Sequence, residues 1–233
     1  MKRWLLLALL AWIAASGCSG TRYPQESDRP FAVKDLAKSD LDVIAEGSYR
    51  ELMAGLRTLM VKLYRRNPSA WRDSGKPDMH YSVERVFRAR RVPDFVELGG
   101  RRGSAAVRLA FDQRYRGDRV LAFVAGLTAM AQRAYGERSE FFIFDQIDPQ
   151  KLYNSARNIE IAAWLLATKH TARGQPMLLA DSRPGEPRNL SFERLFGKLI
   201  ATQDLLAKIV ANRTKRTIRH VLQRVGGALF LPI

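Results

Sequence analysis

The central element of the fold is predicted by residues 118–136, which read DRVLAFVAGLTAMAQRAYG. Asp118 carries a side-chain acceptor suited to a helix N-cap, and Gly136 suits a C-terminal stop. Between them, the run from Val120 to Ala131 is almost wholly apolar on every face of a helix. A helix of this kind packs against neighbours on most sides. With about twelve apolar residues it is shorter than the roughly 20 that cross a membrane, so we expect it at the centre of a helical core.

A long helix is predicted upstream of this element. Ser39 and Asp42 have the spacing of a capping box, and Asn67-Pro68 is a stop signal. The residues between them have a 3.6-residue apolar stripe to about Tyr64, formed by Leu41, Ile44, Leu52, Leu56, Leu59 and Leu63. The stripe indicates a helix that faces the core.

Shorter elements connect these two helices. We predict a helical segment over Ser82 to Arg90, ended by Pro93. Phe95 to Leu98 is predicted to be either a brief strand or extended chain. A glycine-rich segment comes next, and the helix after it is predicted to end at about Arg116.

Two more helices are predicted downstream. Asp148-Pro149 is an N-cap followed by proline at the first helical position, and its helix runs to about His170. After a long loop, a final helix begins at Ser191 and is predicted to reach Arg224. An apolar tail, residues 226–233, then either folds back onto the core or contacts a partner.

One segment leaves a β-hairpin open. Phe141 to Phe144 is a compact aromatic run that pairs as a short strand with Met177 to Leu179, or continues as helix. The sequence therefore predicts an all-α fold, an irregular bundle of about five to six helices with, at most, one minor hairpin. We place this single domain at residues 39–233.

The amino-terminal residues have the layout of a cleavable export signal. Met1-Lys2-Arg3 is cationic, Trp4 to Ala15 is an unbroken apolar run, and small residues lead into Cys18, which is the one cysteine of the chain. We expect residues 1–17 to be removed. Residues 18–38 are polar, contain Pro24 and Pro30, and read as a flexible tether.

The segment Ala15-Ser16-Gly17-Cys18 resembles the lipobox of bacterial lipoproteins. The resemblance implies a diacylglycerol thioether and an N-acyl chain on Cys18, and Ser19 at the next position implies the outer membrane, with the domain facing the periplasm. A plain signal-peptidase cut near Ala15 to Gly17, which would leave a soluble periplasmic protein, is the alternative. An acylated Cys18 leaves no thiol for a disulfide.

The charge of the chain favours anionic partners. Removing residues 1–17 takes out Lys2 and Arg3 and lowers the formal charge from +16 to +14. In the envelope, such a charge attracts anionic lipid, lipopolysaccharide, peptidoglycan or acidic proteins, and we expect no nucleic acid. An arginine-rich proteome is an alternative explanation of the same charge.

Two clusters are candidate anion sites. Arg101, Arg102, Gly103 and Ser104 precede a predicted helix, whose N-H groups hold anions, although a solvated turn explains the same residues. Arg213, Arg216 and Arg219 lie on the basic side of the predicted final helix, which either rests on an anionic surface or packs on the core with its basic face in solvent.

Catalytic motifs are sparse. His80, His170 and His220 lack the spacing of a metal site, there is no nucleophile-elbow motif, and we expect no cofactor. Residues 158–165, NIEIAAWL, resemble a short segment of lytic transglycosylases. That resemblance implies a catalytic Glu with a raised pKa, for which Glu84 and Glu97 are the nominees, but residues 126–132 match the family's Gly-Leu-Met-Gln stretch only with an interruption.

The sequence thus predicts a lipid-anchored envelope protein with a binding, scaffolding or assembly role and no catalysis of its own. A glycan-active enzyme with an atypical motif is the alternative.

Overall fold

A computed structural model describes residues 39–142, 146–181, 185–187, 189–219 and 229–233. These residues form seven α-helices and one 3-10 helix, Val96–Leu98. The α-helices are α1 Asp40–Arg66, α2 Ser69–Arg72, α3 Met79–Phe87, α4 Gly103–Ala110, α5 Arg119–Ala134, α6 Pro149–Thr168 and α7 Ser191–Thr214. The all-α prediction is confirmed, with slightly more helices than the five to six expected.

The predicted N-caps form. The Asp42 N-H donates to the Ser39 hydroxyl over 3.3 Å, and the Ser39 N-H donates back to the Asp42 carboxylate over 2.7 Å, so α1 begins with a full capping box. Asp118 accepts the Leu121 N-H over 2.8 Å at the start of α5, and Asp148 accepts the Gln150 N-H over 2.9 Å at the start of α6. Each cap satisfies a donor that the first helical turn leaves unpaired.

Helix α5 is the centre of the core, as its composition predicts. It packs against α1, α3, α4 and α6, while α7 packs against α1 and α6. Gly126 permits a close approach of α4 to α5, because a Cβ atom there would lie 2.6 Å from the Gly103 carbonyl oxygen. Helix α4 is thereby held with its first residue directly against α5.

The minor hairpin is not found among the described residues, and the reason is that other groups take its main-chain partners. The Phe141 N-H donates to the Glu46 carboxylate over 2.9 Å. The Met177 N-H donates to the Lys169 carbonyl, and the Leu179 N-H donates to the Asn67 side chain. The one bridge pair seen in the described chain joins His170 and Pro176, and residues 143–145 lie outside the described part.

Several predicted elements and boundaries are wrong. Residues 96–98 are a 3-10 turn rather than a brief strand or extended chain, α3 spans Met79–Phe87 rather than Ser82 to Arg90, and α4 ends at Ala110 rather than near Arg116. Helix α7 ends at Thr214, because Lys215 takes a left-handed conformation with φ of 52° and the Arg216 N-H turns back to the Ala211 carbonyl. This is a helix-terminating motif that a positive φ defines.

Candidate functional site

The predicted segment Arg101–Ser104 lies at the start of α4, against the C-terminal half of α5. Gly99, Gly100 and Gly103 all have φ between 54° and 73°, a region that favours glycine. They allow two tight turns, after which Gly103 begins α4 directly over Gly126. The glycines of this segment therefore position its arginines.

The four predicted residues do not share one environment. Arg102, Gly103 and Ser104 line a cleft, whereas the Arg101 guanidinium folds back toward Gly99 and is not among the lining residues. Arg102 pairs with Asp94, and this contact raises the pKa of the guanidinium and lowers the pKa of the carboxyl. The Ser104 hydroxyl accepts a bond from Arg108 over 3.2 Å.

The cleft has a volume of about 450 Å³ and mixed walls. One wall is the start of α4, the second is the end of α5 with Met130 and Arg133, and the third is the C-terminal segment from Phe230 to Ile233. Its lining combines the cationic Arg102 and Arg133 with apolar side chains such as Met130, which suits a ligand that has both an anionic and an apolar part.

A second depression lies beside the first, and Glu137 lines both. It is formed by the exposed loop after α3 and the turn after α5. We name the arginines that line the two depressions the arginine rim: Arg90, Arg91, Arg102, Arg133 and Arg138. All five side chains are exposed.

Glu137 is the acidic residue that the two depressions share, and its carboxylate lies 3.0 Å from the Arg91 guanidinium. Its backbone has φ of 59°, although it is not a glycine. The conformation follows from the end of α5, where the Glu137 N-H donates to the Gln132 carbonyl over 2.8 Å and Gly136 donates to Arg133. Glu137 pairs with Arg91 and Asp94 pairs with Arg102, so the five arginines leave the rim with a net positive charge.

Sequence reasoning found Arg102 but missed the other four members of the rim. Arg90 and Arg91 belong to the run Arg88-Ala89-Arg90-Arg91, and this local density of charge was a usable signal. Arg133 and Arg138 bracket the helix stop at Gly136 and carry no such signal. The packing of α4 against α5 places Arg133 in one cleft with Arg102, and the turn after α5 places Arg138 beside Arg90 and Arg91.

The second predicted cluster lies elsewhere and is not helical as a whole. Arg213 is in the last turn of α7, while Arg216 and Arg219 follow its end. The Arg216 guanidinium donates to the Gln146 side chain over 3.2 Å. The predicted basic amphipathic helix is therefore wrong over residues 215–219, and its remaining turns, with His220, lie outside the described residues.

Helix α6 carries a row of side-chain amides four residues apart, Gln150, Asn154 and Asn158, which we name the amide row. The Leu231 N-H donates to Asn158 Oδ1 over 2.7 Å, and Asn158 Nδ2 donates to the Leu231 carbonyl over 3.0 Å. Asn154 Nδ2 donates to the Pro232 carbonyl over 2.8 Å. The described end of the tail thus folds back onto the core.

The candidate acids of the enzymatic alternative are engaged in ion pairs. Burial acts to raise the pKa of Glu97, but a main-chain hydrogen bond and the cations Lys76 and Arg85 lower it to about 2. This is opposite to what a general acid needs near neutral pH. Glu84 pairs with Arg57, and Asn158, the first residue of the transglycosylase-like segment, has both side-chain polar atoms on Leu231.

No metal site is found among the described residues, at the histidines or elsewhere. His80 is exposed and lies 3.8 Å from Glu84, and His170 is exposed at the end of α6. Among the described residues, no three His, Cys, Asp or Glu side chains come together as metal ligands would.

Cys18, the predicted signal (residues 1–17) and the predicted tether (residues 18–38) lie outside the described residues. In the part of the chain that is described, no helix has both the length and the apolarity of a membrane span. Comparison with protein-family models, with curated proteins and with solved structures finds no match for this chain.

Proposed function

We propose that this chain is a lipid-anchored protein of the bacterial cell envelope that binds an anionic envelope component through the arginine rim. In this proposal it has a binding, scaffolding or assembly role and performs no catalysis of its own. The observation that carries the binding role is the rim itself, five exposed arginines that line two adjoining depressions, with Glu137 as the acidic residue that lines both.

The chemistry of the rim supports phosphate or carboxylate ligands. Guanidinium groups bind both anions through two parallel hydrogen bonds. Lipid headgroups and lipopolysaccharide supply phosphates, while peptidoglycan and acidic proteins supply carboxylates. An anchor on Cys18 would hold the domain near the first two of these, and two or more acyl chains already give stable attachment.

Binding to vesicles tests the role of the rim. We expect the domain to bind vesicles of phosphatidylglycerol and phosphatidylcholine and not vesicles of phosphatidylcholine alone. Each arginine near such a surface contributes about 1 kcal/mol, so Arg90→Gln, Arg91→Gln and Arg138→Gln together should weaken binding about 100-fold.

The matched control removes three exposed arginines outside the rim, Arg65→Gln, Arg72→Gln and Arg114→Gln. This variant has the same net charge as the first and should lose much less affinity. Equal loss in the two variants would mean that total charge, and not the rim, determines binding.

The lipid anchor has its own test. Metabolic labelling with a palmitate analogue should mark the native protein, and Cys18→Ser should abolish the label and release the protein from membranes. Continued labelling of Cys18→Ser would refute the anchor while leaving the rim proposal in place.

A further inference from the structure

The amide row gives α6 a surface that recognises main chain. Residues four apart lie on one face of a helix, and the row presents Gln150, Asn154 and Asn158 there. Gln150 exchanges hydrogen bonds with both main-chain groups of Arg219, at 2.8 and 3.2 Å. Asn158 does the same with Leu231. Each member of the row thus contacts groups that every residue possesses, apart from the missing N-H of proline.

The segment bound there, residues 229–233, has neither helical nor strand hydrogen bonding of its own. The side chains of this segment contact cationic groups rather than the amide row. The Arg108 guanidinium lies 5.4 Å from the centre of the Phe230 ring, and Phe230 to Ile233 line the cleft of about 450 Å³ together with Arg102 and Arg133. The amide row and the cleft together form a groove. It holds an irregular apolar segment along α6, and the part of the cleft lined by Arg102 and Arg133 remains open.

The hold on this segment is modest. Three hydrogen bonds with Asn154 and Asn158 contribute about 1 kcal/mol net each, and Phe230 and Ile233 are partly buried against the core. Leu229 is 75% exposed and Pro232 is exposed, so only part of the segment is buried. The attached segment competes as if it were present at an effective concentration on the order of millimolar. An external segment replaces it when the ratio of its concentration to its Kd exceeds the same ratio for the attached segment.

We propose that this groove is a docking site for an apolar, non-helical segment of a partner protein that also carries acidic residues. Residues 229–233 are its resident occupant and are displaced on binding. The apolar part of the partner takes the place of Phe230 to Ile233, and its carboxylates meet Arg102 and Arg133. The inference rests on the amide row and the cleft and does not require the lipid anchor or the binding of vesicles.

The probe for this site is the fluorescein-labelled peptide Asp-Asp-Leu-Phe-Leu-Pro-Ile. Leu231→Pro in the full chain removes the main-chain N-H that donates to Asn158 Oδ1, and so weakens the attachment of residues 229–233. We expect the peptide to bind Leu231→Pro about tenfold more tightly than the native chain, because its internal competitor is weakened. Adding Asn158→Ala to Leu231→Pro should weaken that binding about 30-fold, which corresponds to two lost hydrogen bonds.

Two controls identify the chemistry. A peptide with Lys-Lys in place of Asp-Asp should bind more weakly, and Asn212→Ala, an exposed asparagine on α7, should leave binding unchanged. Equal affinity of the peptide for Leu231→Pro with and without Asn158→Ala would overturn the proposal.

A second measurement uses the native sequence and so does not depend on the folding of a variant. In the ¹⁵N-labelled chain, the Leu231 amide should be protected from hydrogen exchange and should lose protection as unlabelled peptide is added. Retained protection at saturating peptide would contradict displacement.

A native dimer whose two copies exchange residues 229–233 would also overturn the proposal, since the occupant would then be a second copy.

Discussion

Asn67 and Leu179 are 112 residues apart in sequence, yet the side-chain amide of Asn67 pairs with both main-chain groups of Leu179. The Leu179 N-H donates to Asn67 Oδ1 over 2.8 Å, and Asn67 Nδ2 donates to the Leu179 carbonyl over 2.9 Å. Asn158 repeats this arrangement with Leu231. Two asparagines therefore attach two irregular segments to the helical core.

Loss of either asparagine should destabilise the fold. Asn67→Ala removes three hydrogen bonds to main-chain groups, two to Leu179 and one to Leu63, and Asn158→Ala removes two. At about 1 kcal/mol each, we expect losses of about 3 and about 2 kcal/mol in the free energy of unfolding. Denaturant titration measures these losses, with exposed Asn212→Ala as the control, for which less than about 0.5 kcal/mol is expected. A value near zero for Asn158→Ala would mean that the tail is not held in solution.

Two glycine substitutions on helices should have opposite signs. Gly126→Ala places a Cβ atom 2.6 Å from the Gly103 carbonyl oxygen and 2.8 Å from Val107, so α4 must shift away from α5. We expect it to lower stability by about 1–3 kcal/mol despite the better helix propensity of alanine. Gly197→Ala on α7 meets nothing within 4 Å and should raise stability by about 0.5–1 kcal/mol. Thermal unfolding of both variants checks the pair.

Asp118 should make stability depend on pH. Burial raises its pKa from 3.8 to about 6, even though hydrogen bonds from the Leu121 N-H and the Tyr64 hydroxyl act to lower it. Between about pH 4 and pH 6 the folded state therefore holds a proton that the unfolded state releases, so stability falls as pH rises through this window. The loss is about 3 kcal/mol when complete.

Asp118→Asn should remove this dependence while keeping a side-chain acceptor for Leu121. The difference in unfolding free energy between Asp118→Asn and the native chain should therefore change by about 2 kcal/mol from pH 4 to pH 7, because part of the full change lies below pH 4. Asp73→Asn, at an exposed carboxylate, controls for the loss of one charge. A constant difference across that range would contradict a raised pKa for Asp118.

Glu137 should affect stability through its backbone conformation and vesicle binding through its charge. Its φ of 59° costs a non-glycine residue about 1 kcal/mol, so Glu137→Gly should be about 1 kcal/mol more stable than Glu137→Ala, although both lose the Arg91 contact. Both variants should bind phosphatidylglycerol vesicles about fivefold more tightly than the native chain, because the rim loses its shared carboxylate. Unchanged vesicle binding would place the binding surface away from the rim.

Several features of this protein were determined by the sequence alone, and they share a local origin. The caps at Ser39, Asp118 and Asp148 bond to residues two or three positions onward, so their partners are fixed by adjacent sequence. The apolar run of α5 predicts its central position, because it has no polar face to turn toward solvent.

The tertiary structure decided what depends on distant residues. Arg102 and Arg133 meet at one cleft because Gly126 lets α4 approach α5. The low pKa of Glu97 and the attachment of Leu231 to Asn158 arise in the same way, from partners that are remote in sequence. Spacing along a chain specifies contacts within a helix or turn, whereas contacts between helices depend on the packing of the whole core.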